Sequence, residues 1–213
     1  MKAFINRFLV ISSALFIAST VHLHAQNHVQ NTVAVSGLGD FPSSTSSSNT
    51  QQNPYNQAGF MVELRHISNP LMGFDVSYSF HRADQGYKGP TPYCPSGALP
   101  CITPSQSVHA NAQELALNWV VSAPIANFRI FALAGGGFQN FDPTGTQTGG
   151  TQSQTKGVFD YGAGADWTVL PHLGLRFQYR GNVYKAPALA TAFSSTGKFT
   201  QDAEPMIGAY FRF

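Results

Sequence analysis

The sequence predicts an all-β fold: an eight-stranded antiparallel up-and-down barrel with its polar face turned inward. Three observations predict it. Eight segments alternate apolar and polar residues with period two. The connections between them alternate in length, long then short. The formal charges within the segments share one face and balance in sign. Composition agrees. Charged residues are only 10% of the 213, with 17 Phe and 8 Tyr, against roughly a quarter charged in ordinary soluble domains. A net charge of +2 without Lys/Arg clusters excludes a basic nucleic-acid binder. The aromatic content excludes a disordered chain, and no 18-residue apolar run beyond the N-terminus supports a helical bundle.

Residues 1–25 read as a secretory signal peptide. Lys2 and Arg7 precede the apolar stretch Phe8–Val21, and cleavage is expected after Ala25. Residues 26–213 then form the barrel domain. Strands are expected at Val29–Asp40, Tyr55–His66, Met72–Ala83, Ser105–Val121, Phe128–Gln139, Lys156–Val169, Leu173–Tyr184 and Ala203–Phe213. Ile67–Leu71, Ser122–Asn127 and Leu170–His172 are the short connections. Phe41–Pro54, Asp84–Pro104, Asn140–Thr155 and Lys185–Asp202 are long and polar. In a meander, alternate connections share an end, so all the short turns lie at one end and all the long loops at the other. Transmembrane β-barrels have this asymmetry, with short periplasmic turns and longer extracellular loops.

Alternation alone leaves open which face points inward, since a soluble barrel of lipocalin type encloses its apolar face. Three observations favour the membrane barrel: the loop asymmetry, the closing aromatic Phe213 and the sorting of charge. The polar face carries Glu63, Asp75, Glu114, Asp160 and Asp166 against Arg65, Arg129, Arg176, Arg180 and Arg212. Every strand base there is Arg, the residue suited to close bidentate pairing with carboxylates. A closed interior must pair its charges. This cluster is expected to be a structural plug rather than a proton or ion path, because an eight-stranded barrel is just wide enough to be filled by side chains. Tyr55, Trp119, Phe128, Phe138, Trp167 and Tyr184, near strand ends, are expected to form interface belts.

The chain resembles the small eight-stranded outer-membrane barrels of the OmpA transmembrane-domain, OmpX and opacity-protein type. The closing stretch Pro205–Phe213 carries the most specific part of this resemblance. Its alternating apolar residues and terminal aromatic, with Tyr210, Phe211 and Phe213, look like that family's assembly signal. Ala132–Phe138 and Tyr161–Asp166 look like its Gly-rich strands. The resemblance implies the outer membrane of a Gram-negative bacterium, reached by export through the inner membrane. It implies as partners the membrane lipids and lipopolysaccharide, periplasmic chaperones and the barrel-assembly machinery. An extracellular ligand would engage the loops, above all the second, which holds prolines and aromatics; no nucleic acid is expected.

Two fragments remain. Cys94 and Cys101, eight residues of one loop counted inclusively, read as a disulfide in an exported protein. Two Cys without a close His make a poor metal site, and no metal or cofactor is expected. His66-Ile67-Ser68-Asn69 resembles the His-x-Ser-Asn segment of PagL-type lipid A deacylases. That resemblance would make His66 a base, Ser68 a nucleophile and Asn69 an oxyanion donor. Here, however, the fragment ends a strand at a periplasmic turn before Pro70, far from outer-leaflet lipid A. A turn is the expected reading, and the protein is expected not to be an enzyme. The leading expectation is a structural or surface-interaction barrel; a narrow channel is the alternative, and a deacylase the weakest.

Overall fold

A computed structural model describes residues 29–69, 71–89, 104–145 and 150–213. The signal-peptide segment, Pro70 and both Cys94 and Cys101 lie outside the described residues. The strands are β1 (Gln30–Pro42), β2 (Thr45–Ser46), β3 (Gln51–Pro54), β4 (Gln57–Ile67), β5 (Met72–Arg82), β6 (Gln85–Lys88), β7 (Ser105–Val108), β8 (Ala110–Ile125), β9 (Phe128–Pro143), β10 (Gln154–Leu170), β11 (Leu173–Lys185) and β12 (Phe199–Arg212). Eight of them, β1, β4, β5 and β8–β12, close into an antiparallel barrel. Closure joins β1 to β12, with Val33 opposite Phe211 and Leu38 opposite Met206. No strand edge of the barrel is left open, which is the condition for crossing hydrocarbon.

Parity governs every barrel strand. Glu63 and Arg65 point into the lumen, whereas Leu64 is 55% exposed on the outer wall; Trp119 (70%) and Ile207 (59%) are equally exposed. Exposed large apolar side chains around a buried polar interior are the inverse of a soluble protein. At the inner end the strands turn tightly. Asn69 Oδ1 accepts from the backbone N–H groups of Leu71 and Met72 at 3.0 and 2.9 Å, forming the turn its residue type favours. The second turn is tighter than the sequence predicts. Strand pairing runs on to Ile125 and Phe128, leaving only Ala126-Asn127 between them.

The outer end departs further from expectation. Crossing the membrane needs about 9–11 residues per strand, yet β8, β9 and β10 have 16, 16 and 17. Their outer ends therefore project beyond the bilayer. The first two long connections are not plain loops either, because β2, β3, β6 and β7 form a separate four-stranded sheet. Ser105–Val108, expected as the start of the fourth barrel strand, belongs to this sheet and pairs with Gln85–Lys88. Period-two alternation marks a strand but carries no information about which sheet receives it.

Ala126 has φ 52°, a left-handed conformation, at the first position of its two-residue turn. Hairpins favour glycine there because a Cβ is strained. Ala126→Gly should stabilise the refolded barrel by up to about 1 kcal/mol, read as a higher urea midpoint at unchanged slope.

Candidate functional site

The chemistry of this chain is concentrated in the lumen, which is stacked in layers along the barrel axis. At the inner mouth Arg129 lies opposite Asp166 in the register of β9 and β10 and donates to Ser122 Oγ at 3.0 Å. Arg212 donates to the Pro171 carbonyl at 2.5 Å. Tyr210 points inward, its hydroxyl 2.9 Å from Thr168 Oγ1.

Above the mouth is a compact ion-pair network. Arg176 forks onto Asp166, with Nε to Oδ1 at 2.7 Å and Nη2 to Oδ2 at 2.8 Å. Its Nη1 bonds Glu63. Arg65 Nη2 lies 2.6 Å from Glu63 and 3.3 Å from Asp75. Asn118 completes Asp75 at 3.2 Å. The Phe131 ring covers the Arg65 guanidinium, 3.9 Å from its carbon to the ring centroid. That ring needs room: a Cβ on Gly164 would stand 2.5 Å from it. The bidentate fork satisfies Arg176, whereas Arg65 relies on the aromatic face beside its two carboxylates, its Nε and Nη1 having no hydrogen-bond partner.

The next inward positions of β1 and β12, Leu38 and Met206, pack with Met61 as an apolar layer. Beyond it Arg180 donates from Nε to Glu204 Oε2 and lies by Nη1 against Glu114 Oε1, both at 2.8 Å. Asn182 donates to Glu114 Oε2 at 2.9 Å, and the Tyr184 hydroxyl donates to Asp202 at 2.7 Å. Asp40 Oδ2 is 3.6 Å from His81 Nε2.

An apolar cap closes the outer end, built from Tyr87, Val108, Phe141, Tyr184, Leu189 and Ala190, with Phe193 packed against it. The segment after β11 crosses the mouth and is fastened there. Tyr87 donates its hydroxyl to the Pro187 carbonyl at 3.0 Å and accepts from Leu189 N–H at 3.0 Å. Gln52 reaches the same carbonyl at 3.0 Å and also bonds Gln85. Burial pushes the Tyr87 hydroxyl up to about 12, so it stays a donor.

The structure revises the even balance of charge expected for the interior. Among the described residues eight carboxylates are buried: Asp40, Glu63, Asp75, Glu114, Asp160, Asp166, Asp202 and Glu204. Only Arg65, Arg176 and Arg180 are buried beside them; Arg129 and Arg212 occupy the mouth. Asp40 and Glu204 fall at the ends of expected strands and Asp202 in the connection Lys185–Asp202. Their signal is parity, since each stands on the inward face of its own strand. Tyr184 is corrected for the same reason. It shares the parity of Asn182 and is 3% exposed, so it lines the lumen instead of an interface belt. Trp119, Phe128, Phe138 and Trp167 do face outward, and Tyr55 lies exposed beside the outer sheet.

The remaining sequence-marked residues are at the inner end. His66 Nδ1 is 2.7 Å from Asn31 Oδ1, and its ring packs on Phe74 with centroids 5.3 Å apart. Ser68 N–H bonds Met72 O at 3.0 Å, and Asn69 holds the turn. Phe211 and Phe213 stack on the outer wall at 6.3 Å.

The family model for the outer membrane protein β-barrel domain matches residues 10–203. No curated protein sequence matches the chain. Among solved structures, Neisserial surface protein A is 14% identical, with 86% of this chain and 97% of that one aligned at TM-score 0.56. OprG of Pseudomonas aeruginosa is 12% identical, with 88% and 98% covered at TM-score 0.54. Ail of Yersinia pestis, in complex with the heparin analogue sucrose octasulfate, is 14% identical, with 87% and 99% covered at TM-score 0.51. At such identities the likeness is one of fold.

Removing Arg176 alone leaves Glu63 and Asp166 buried and short of a partner. Arg176→Met should cost about 3–5 kcal/mol in urea unfolding of the refolded barrel. Adding Glu63→Gln and Asp166→Asn should recover at least half of that loss.

Proposed function

Because the chain belongs to the outer membrane protein β-barrel domain family, and so resides in the Gram-negative outer membrane, we propose that it is a closed, non-catalytic barrel with a structural and surface-interaction role. The observation that carries this reading is the cap. Leu189 and Ala190 lie across the outer mouth at 0% and 1% exposure, over a lumen already crossed by the ion-pair network. A conducting pore would need a continuous wet path, and an apolar plug of this kind opposes one.

The interacting surface is the outer sheet of β2, β3, β6 and β7. Gln51, Asn53, Tyr55, Lys88, Ser105 and Gln106 line a shallow depression on it. Lys88 is the only formal charge on these four strands. Such a face suits an uncharged, hydroxyl-rich partner bound through amides and an aromatic ring, rather than a polyanion, which needs clustered Arg or Lys.

The same reading gives roles to residues at the ends of the chain. Residues 1–25 serve as the export signal. Phe211 and Phe213, projecting side by side with Tyr210 on the opposite face, serve as the assembly signal for periplasmic chaperones and the barrel-assembly machinery. The contacts of His66, Ser68 and Asn69 with Asn31 and Met72 support a turn-forming role for that fragment.

Two measurements test the proposal. The refolded barrel in a planar lipid bilayer should show no discrete conductance steps, and regular single-channel steps would overturn the closed reading. Replacing residues 85–108 with a short Gly-Ser linker should abolish adhesion of protein-bearing cells to immobilised glycans while leaving the barrel's heat-modifiable gel shift intact. Undiminished adhesion would remove the outer sheet from the role.

A further inference from the structure

The outer chamber of the lumen has an excess of acid that protein groups alone leave unanswered. Among the described residues Asp40, Glu114, Asp160, Asp202 and Glu204 face a single guanidinium, Arg180, between the Leu38–Met61–Met206 layer and the cap. At the edge of this chamber three side chains from three strands converge. One ligand atom each from Asp40, His81 and Glu204 lies within 4.8 Å of the others. Their exposures are 2%, 1% and 0%. Asp40 and His81 face each other through Oδ2 and Nε2, while Glu204 Oε1 is buried with no hydrogen-bond partner and is free for an ion. Buried groups in that condition are costly unless something else binds them.

We propose that Asp40, His81 and Glu204 bind a divalent transition-metal ion of the zinc class, which fastens the outer half of the barrel from within. The donor set makes the choice of ion. Two carboxylates and an imidazole suit Zn²⁺, whereas Ca²⁺ and Mg²⁺ prefer oxygen throughout. Spacing agrees. Bonds of about 2.1 Å at the tetrahedral angle separate ligand atoms by about 3.4 Å, and His81 Nε2 is 3.6 Å from Asp40 Oδ2. Glu204 spends Oε2 on Arg180 and keeps Oε1 for the ion. A fourth donor is at hand in Gln139. Its amide nitrogen is 3.4 Å from His81 Nε2, and its buried oxygen has no partner. A half-turn of the amide exchanges the two, placing a carbonyl-type oxygen 3.4 Å from His81 Nε2, close to the separation of two ligands on one ion.

The site also fits its surroundings. Two positive charges offset part of the carboxylate excess. Phe141 follows Gln139 on the inward face of β9 and belongs to the cap, so the ion is enclosed once the chain has folded. It should therefore enter during folding and exchange slowly afterwards.

The test uses the full chain refolded into detergent micelles with Zn²⁺, then passed through EDTA and gel filtration. Elemental analysis should find about one ion per barrel. His81→Gln and Glu204→Gln should each lower that occupancy at least tenfold. Refolding with Co²⁺ gives a second, spectroscopic readout. Intense visible d–d absorption, weakened in Asp40→Asn, marks a tetrahedral site with these ligands. Loss of zinc from the wild-type barrel in EDTA, together with the weak spectrum of octahedral Co²⁺, would overturn the proposal and leave protons to neutralise the chamber. Zinc retained equally by all three variants would overturn it too, by placing the ion elsewhere.

Discussion

Everything in this structure follows from closing the backbone hydrogen-bond ladder between β1 and β12. Hydrocarbon offers no partner for an N–H or C=O group, so a membrane-spanning sheet must return to its own first strand. With eight strands the closed wall encloses a space only a side chain or two across. One face of every strand is thereby committed to lipid and the other to a narrow polar lumen. Leu64 and Glu63 are neighbours in sequence and occupy opposite solvents.

A narrow lumen turns charge into a packing problem. The lower half pairs all of its carboxylates with protein groups, although Arg65 Nε and Nη1 make no hydrogen bond. Arg65 and Arg176 are shared among Glu63, Asp75 and Asp166, and Phe131 fills the remaining space. The upper half does not. Arg180 serves Glu114 and Glu204, Asn182 and Tyr184 supply neutral donors, and both carboxylate oxygens of Asp160 remain without a hydrogen bond. That asymmetry between the halves makes the outer chamber the place where a cation has most to offer. The cap above it, to which Tyr87 and Val108 of the outer sheet belong, then separates the chamber from the exposed face of that sheet.

Much of this was legible in the chain. Period-two alternation located all eight barrel strands to within a few residues except β8, whose expected start belongs to another sheet. It also placed Glu63, Arg65, Asp75, Glu114, Asp160, Asp166, Arg176 and Arg180 on the inward face. Where the reading stopped short, the cause was an expected boundary drawn too early. Asp40, Asp202 and Tyr184 have inward parity, but each stood at a strand end or in a connection, where alternation is no longer counted. His81 shares the polar face of its strand with Asp75, but neither it nor Gln139 carries a formal charge that would mark it.

The sequence by itself determined the strands, their two faces and the end at which the long connections gather, because side-chain parity is a local property of an extended chain. Only the tertiary structure decided the rest. The tie between Tyr87 and Leu189 spans 102 residues. Asp40, His81 and Glu204 come from strands brought together by closure of the barrel. The outer sheet draws on two separate connections. Contacts of this kind depend on register and on the curvature of the closed wall, and neither is written in the alternation of any single strand.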